Sequence, residues 1–218
     1  MSGRPGGPSS AHFTLVTGGT RSGKSRFAVE LAKTFGRRIV YIATCHPADA
    51  QMRQRVDRHR RERPAHWVTV EQPANLSSQL ARLTAGCDGA LFDCLTMYVS
   101  DLVLKKRSDA AIQRDVRRLC EAIRHGSVPV AMVTNEVGSG VVPDHPLGRR
   151  FRDVAGMANQ LAARVADRVV LMVSGLPLVI KDHNTRGTRL AAYEPSSGPH
   201  WMPYDAARGG CDDVHLFA

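Results

Sequence analysis

Short apolar runs alternate along this chain with longer segments whose apolar residues recur at helical spacing. The runs predict strands at residues 13–16, 39–43, 67–70, 90–92, 128–133 and 169–173, the last of them the final core strand. The periodic segments predict helices at 24–35, 49–63, 76–83, 97–104 and 111–124, and a long one within 147–168. Phe27, Leu31 and Phe35, spaced by four, mark the expected inner face of the first helix. Gly36 is its stop signal, and Pro64 ends the second helix. Such alternation favours an α/β fold with a mostly parallel sheet flanked by helices. From about Asp182 the period disappears and Gly, Pro and Asp become frequent. The expected organisation is a flexible N-terminus (1–12), one folded domain (13–181) and an irregular tail (182–218). Trp201, Tyr204 and Phe217 are the tail residues suited to docking.

Between the first strand and the first helix stands Gly18-Gly19-Thr20-Arg21-Ser22-Gly23-Lys24-Ser25, a G-x-x-x-x-G-K-[ST] loop in its strand–loop–helix setting. Gly18 and Gly23 let backbone N–H groups turn inward around phosphate oxygens. Lys24 brings a point charge to the outer phosphates, and the helix N-terminus adds the positive end of its dipole. The Ser25 hydroxyl is a metal ligand candidate. A second comes from Asp93, an acidic residue at the end of the neighbouring run 90–92, where such a loop needs one to organise Mg2+. Its alternative role is to cap the helix that follows. These features predict a P-loop NTPase-type fold that takes a nucleoside triphosphate.

Composition adds three constraints. The formal charge of +10 implies anionic partners without choosing among nucleic acid, membrane surface and phosphorylated small molecules. Much of it is arginine between Arg53 and Arg63. The five cysteines form no C-x-x-C pair, which argues against a disulfide framework or a zinc site and suits a reducing cytoplasm. Residues 1–12 lack the apolar core of a signal peptide, and no apolar stretch approaches a membrane span.

Further segments narrow the reading. They are Tyr41-Ile42-Ala43-Thr44; Met52-x-x-Arg55-Val56-x-x-x-His59-x-x-x-Arg63-Pro64-x-x-Trp67-x-Thr69-x-Glu71; Asp93-Cys94-Leu95-Thr96; and Thr134-Asn135-Glu136-Val137-Gly138-x-Gly140-Val141-Val142-Pro143. Arg149-x-Phe151-Arg152-Asp153-x-x-Gly156-x-x-Asn159-Gln160 and Gly175-Leu176-Pro177 follow. In this order, over about 14–181, they resemble the bifunctional adenosylcobinamide kinase / adenosylcobinamide-phosphate guanylyltransferase family of cobalamin biosynthesis. The resemblance implies a homo-oligomeric enzyme with two reactions. A nucleoside triphosphate, ATP or GTP, phosphorylates adenosylcobinamide. GTP then donates GMP to adenosylcobinamide phosphate, giving adenosylcobinamide-GDP. The guanylylated histidine falls on His59. The nucleotide contacts fall on Gly18 to Ser25, on Ala43, Thr44 and Cys45, on Arg60, Arg61, Glu62 and Arg63, and on Glu71 and Asp93. Gln51 departs from the pattern, because an acidic residue often stands there in the family.

The chemistry suits those residue types. Joining GMP to another phosphate brings two anions together, and a covalent intermediate divides the task into two displacements. Imidazole serves as nucleophile and leaving group near neutral pH. Residues three and four apart share a helix face, which predicts Arg55 and Arg63 beside His59. On the helix alone His59 also reads as a solvated side chain. His46, at a strand end, is the rival nucleophile; His66, beside Trp67, reads as structural. Cys45 reads as a packing or lining residue. Glu136 is a candidate base for the kinase step, on a loop that is either a substrate lid or a connection. Arg149, Arg152 and Asp153 are candidates for substrate phosphate or subunit salt bridges. Two other functions remain open at this level: a nucleic-acid-binding ATPase, although the basic helix lacks interleaved aromatics, and a small-molecule kinase without nucleotidyl transfer.

Overall fold

The computed structural model describes residues 11–45, 50–61, 63–71, 73 and 75–183, without the side chains of 51, 52, 55 and 57–59. The chain order is β1 (Phe13–Gly18), α1 (Lys24–Lys33), β2 (Ile39–Ala43), α2 (Ala50–Arg61), β3 (Val68–Glu71), α3 (Leu76–Leu83) and β4 (Gly89–Asp93). There follow α4 (Leu95–Leu104), α5 (Asp109–Arg124), β5 (Val130–Val133), α6 (Pro146–Val165), β6 (Arg168–Val173) and β7 (Leu176–Asp182). The strands form one seven-stranded sheet, ordered β3-β2-β4-β5-β1-β6-β7. Every pairing is parallel except β6 with β7. The central strands are buried on both faces, which is why they read as continuous apolar runs.

Side chains alternate between faces and separate two cores. Phe13, Leu15, Val40, Ile42, Phe92 and Met132 face α3, α4, α5 and α6. Val16, Ile39, Tyr41, Leu91, Val133 and Met172 face α1 and Trp67. Small residues let α1 approach the sheet: Ala28 and Ala32 are fully buried, with Val29 beside them. Phe27, Leu31 and Phe35 pack only partly buried at its flank, so the expected inner face is turned. The bulky rings cover the edge of the contact, and the alanines allow the contact itself.

Three further expectations need correction. Val169–Val173 is not the last strand of the sheet, because β7 follows it and runs through Asp182, one residue past the expected domain boundary. The second helix stops at Arg61, so Arg63 does not share a helix face with His59. Pro64 disfavours helical backbone at the residue before it, and the chain has already left the helix there. His66 is exposed; the neighbouring Trp67 is the one that enters the core, at 7% exposure.

The sheet sets the site's position. The chain leaves β1 towards β2 on one side and returns from β5 to β6 on the other. The carboxyl end of β1 therefore lies where the strand order reverses, the usual ligand crevice of open α/β sheets.

Candidate active site

The loop between β1 and α1 is held by close backbone contacts. A Cβ on Gly18 would lie 2.6 Å from Ser22 Oγ and 2.7 Å from the Met172 carbonyl oxygen, so only glycine fits. Gly23 has φ 91° and begins α1. Lys24 is 6% exposed, and its Nζ donates to the Gly19 carbonyl at 2.8 Å. Two buried hydroxyl oxygens here, Thr17 Oγ1 and Ser22 Oγ, have no hydrogen-bond partner among the described residues. Orphaned polar atoms beside a buried ammonium are the mark of a cradle built for a polar ligand. Thr20 and Arg21 border it, both in the exposed part of the loop, and Ser25 is partly exposed at the helix start.

Neighbouring strand ends add the remaining groups. Register places Ala43 beside Asp93 on one side and beside Glu71 on the other. Tyr41 donates its hydroxyl to Asp93 Oδ2 at 2.7 Å. Thr44 ties β2 to β4: its N–H donates to the Asp93 carbonyl at 3.0 Å, and its Oγ1 accepts from the Cys94 N–H at 2.8 Å. The Arg63 guanidinium lies 3.7 Å from the Tyr41 ring centroid and donates to Thr69 Oγ1 at 3.3 Å. Arg60 pairs with Glu71, both about half exposed, which ties the end of α2 to the end of β3. Cys45 is partly exposed at the same edge. Cys94 is buried; desolvation first, then the Asp93 charge, push its thiol up to about 12 and keep it protonated at neutral pH.

A buried polar network carries the next loop. Thr134 Oγ1 donates to Asn159 Oδ1 at 2.7 Å, and its oxygen lies 3.0 Å from Thr96 Oγ1. Asn159 Nδ2 donates to the Asn135 carbonyl at 3.0 Å, and the Asn135 N–H donates to Thr96 Oγ1 at 2.6 Å. Next along, the Glu136 N–H donates to the Gly18 carbonyl at 3.0 Å, so this loop abuts the glycine-rich one. The Glu136 side chain is exposed. Arg149 donates to the Pro143 carbonyl at 3.0 Å, and Arg152 pairs with its neighbour Asp153, so both arginines have local partners. Sequence reasoning gave no role to Thr134, Asn159 or Tyr41. Their presence in the ordered motifs was the available signal.

Of the expected site residues, the structure brings together Gly18 to Ser25, Ala43 to Cys45, Glu71 and Asp93 on one sheet edge. Arg60 and Arg63 stand near β3, and Arg61 is the last residue of α2. His59 lies in the last turn of α2; His46 and Glu62 lie outside the described residues. Among the described residues no three His, Cys, Asp or Glu side chains gather as a metal cage. Ser25 offers a hydroxyl and Asp93 a carboxylate, oxygen donors of the kind that Mg2+ takes alongside waters and phosphate oxygens.

The family model described as cobinamide kinase / cobinamide phosphate guanyltransferase matches residues 14–180. The chain is 38% identical over 179 residues to the bifunctional adenosylcobalamin biosynthesis protein CobU of Salmonella typhimurium, covering 77% of this chain and 98% of that one. It is 40% identical over 171 residues to the bifunctional adenosylcobalamin biosynthesis protein CobP of Pseudomonas aeruginosa, covering 77% of this chain and 96% of that one. The Escherichia coli CobU protein is 38% identical over 179 residues, with 98% of its length covered.

Proposed function

Because the chain belongs to the cobinamide kinase / cobinamide phosphate guanyltransferase family, we propose that it is a transferase carrying both reactions on the sheet edge just described. In the first, a triphosphate phosphorylates the hydroxyl of adenosylcobinamide. In the second, GMP passes from GTP to adenosylcobinamide phosphate by way of His59. An imidazole nitrogen of His59 attacks the α-phosphorus, and the bond to pyrophosphate breaks. A phosphate oxygen of the acceptor then attacks the same phosphorus, the P–N bond breaks, and adenosylcobinamide-GDP leaves.

The observation that carries this reading is the buried Lys24 in a glycine-rich loop with two orphaned hydroxyls, inside a family match that spans 14–180. In this reading Lys24 and the loop N–H groups hold the β- and γ-phosphates. Ser25 and Asp93 hold Mg2+, which neutralises phosphate charge when bound. Arg60, Arg61 and Arg63, with Glu62 and Glu71, border the nucleotide, and the arginines steady charge on the α-phosphate. Ala43, Thr44 and Cys45 line its path. Glu136 stands ready as base for the first reaction. We place the enzyme in the cytoplasm as a homo-oligomer without nucleic acid, a reading supported by five scattered cysteines that form no C-x-x-C pair and by exposed Val173, Leu176 and Ile180 near the β7 edge. Among the described residues no helix is long and apolar enough to cross a membrane.

The test is retention of label. With α-labelled GTP and Mg2+ the protein becomes labelled, whereas γ-labelled GTP leaves nothing on it. The bond is labile in acid and stable in base, as a phosphoramidate is. His59→Ala abolishes retention and GMP transfer. Label mapped to His46 or Lys24 would falsify the assignment of His59, and no label under any condition would leave a kinase without nucleotidyl transfer.

A further inference from the structure

We propose that Tyr41 is the positioning residue of this site: one side chain fixes both the Asp93 carboxylate and the Arg63 guanidinium. The inference rests on the reading of Asp93 and Arg63 given above and adds a residue to which that reading assigns nothing.

The sheet explains why this residue reaches both groups. Tyr41 pairs with Leu91 on the adjacent parallel strand, and Asp93 lies two residues further along that strand. Alternation puts Leu91 and Asp93 on the same face as Tyr41, so Asp93 is its diagonal neighbour. The ring is 5% exposed among the residues that face α1, and its hydroxyl ends 2.7 Å from Asp93 Oδ2. A buried phenol costs free energy unless its hydroxyl is bonded, and phenylalanine would pack here as well. The hydroxyl's one described service is to the carboxylate.

The ring face serves the other group. Arg63 lies past the end of α2, where no helix holds it. Its guanidinium sits 3.7 Å from the ring centroid, within cation–π range. Thr69 on β3 takes one of its N–H groups at 3.3 Å. The phenol thus links β4, which ends in the proposed Mg2+ carboxylate, to the segment that follows the helix of His59. A hydroxyl that orients a metal-binding carboxylate affects metal affinity without touching metal, commonly by about tenfold or more.

The two contacts separate by substitution. Tyr41→Phe keeps the ring beneath Arg63 and removes only the hydroxyl. Tyr41→Leu removes both. Binding of a fluorescent GTP analogue is titrated with and without Mg2+, alongside GMP retention and thermal unfolding. Tyr41→Phe should raise the Mg2+ concentration for half-maximal enhancement of binding about tenfold. Mg2+-free affinity should stay within about twofold, and retention at saturating Mg2+ should recover. Tyr41→Leu should shift the Mg2+ midpoint similarly and also slow retention at saturating Mg2+ and GTP. In the Tyr41→Phe, Asp93→Asn double variant the Mg2+ midpoint should equal that of Asp93→Asn alone, because the hydroxyl then has no carboxylate to orient. An unchanged midpoint in Tyr41→Phe, additive shifts in the double variant, or equal loss of Mg2+-free and Mg2+-dependent binding would overturn the proposal. If the unsubstituted protein binds GTP with Mg2+ but retains no GMP, the transfer reading fails, while the Mg2+ midpoints still decide the role of Tyr41.

Discussion

Lys24 shows at the scale of a single residue how this chain sets stability against ligand binding. Burying an ammonium costs free energy, and Lys24 is held at the mouth of the loop with its Nζ donating to the Gly19 carbonyl. Thermal unfolding of Lys24→Ala, measured beside activity, separates a folding defect from a catalytic one. Both half-reactions should lose about 3 kcal/mol or more of transition-state stabilisation, read as kcat/KM for kinase and transfer assayed separately. Normal transfer in this variant would mean that the two reactions do not share one phosphate loop. Lys24 and its loop were legible in the sequence because the motif is local and its spacing carries the geometry. Tyr41 and Thr134 were not, because their partners lie 52 and 25 residues away along the chain. Strand register reveals the first pair, and the placement of α6 beside the end of β5 reveals the second. Asn159→Leu tests the Thr134 network. Leaving the Thr134 hydroxyl and the Asn135 carbonyl without their partner should destabilise by about 1–3 kcal/mol in urea unfolding.

The turn between β6 and β7 shows the same limit at the scale of an element. Ser174 and Gly175 both have positive φ, 51° and 87°, and form a two-residue hairpin turn. The Gly175 N–H donates to the Ser22 carbonyl at 3.1 Å. A Cβ on Gly23 would lie 3.3 Å from Gly175 Cα. The turn thus presses on the phosphate loop from outside, a contact that neither segment announces. Gly175→Val should cost about 1–2 kcal/mol, since a β-branched residue resists left-handed backbone. It should also weaken nucleotide binding several-fold, whereas Gly175→Asn, which tolerates that backbone, should bind nearly normally. Equal nucleotide affinity in all three proteins would separate the turn from the loop. β7 itself escaped notice because Pro177 argues against a strand interior, yet proline is tolerated on an edge strand, where β7 lies. Six other strands and all six helices among the described residues were legible to within a few residues, because their periods follow directly from burial on a two-faced sheet.

At the scale of the molecule, the sheet is closed at its amino-terminal edge by a set of contacts centred on Asp167. Asp167 accepts from the Phe13 N–H at 2.8 Å, and its carbonyl accepts from the His183 N–H at 3.0 Å. Beside it, Arg168 holds the Asp182 carboxylate through two nitrogens, at 3.0 Å and 2.9 Å. Asp182 is only 11% exposed in its side chain, so this pair is better shielded from solvent than the other ion pairs described. The family match ends at residue 180, and the Salmonella relative is covered over 98% of its own length. The expectation to test is therefore that the functional domain ends after His183 and that residues 184–218 are dispensable for both reactions. A chain ending at His183 should match the full chain in urea midpoint, GMP retention and oligomer size by light scattering. A chain ending at Lys181 should lose the Arg168 pair and about 1.5–3 kcal/mol of stability, with retention intact at low temperature. If the chain ending at His183 instead aggregates or loses activity, the segment beyond it completes the core or the oligomer, and Trp201, Tyr204 and Phe217 become the first residues to substitute.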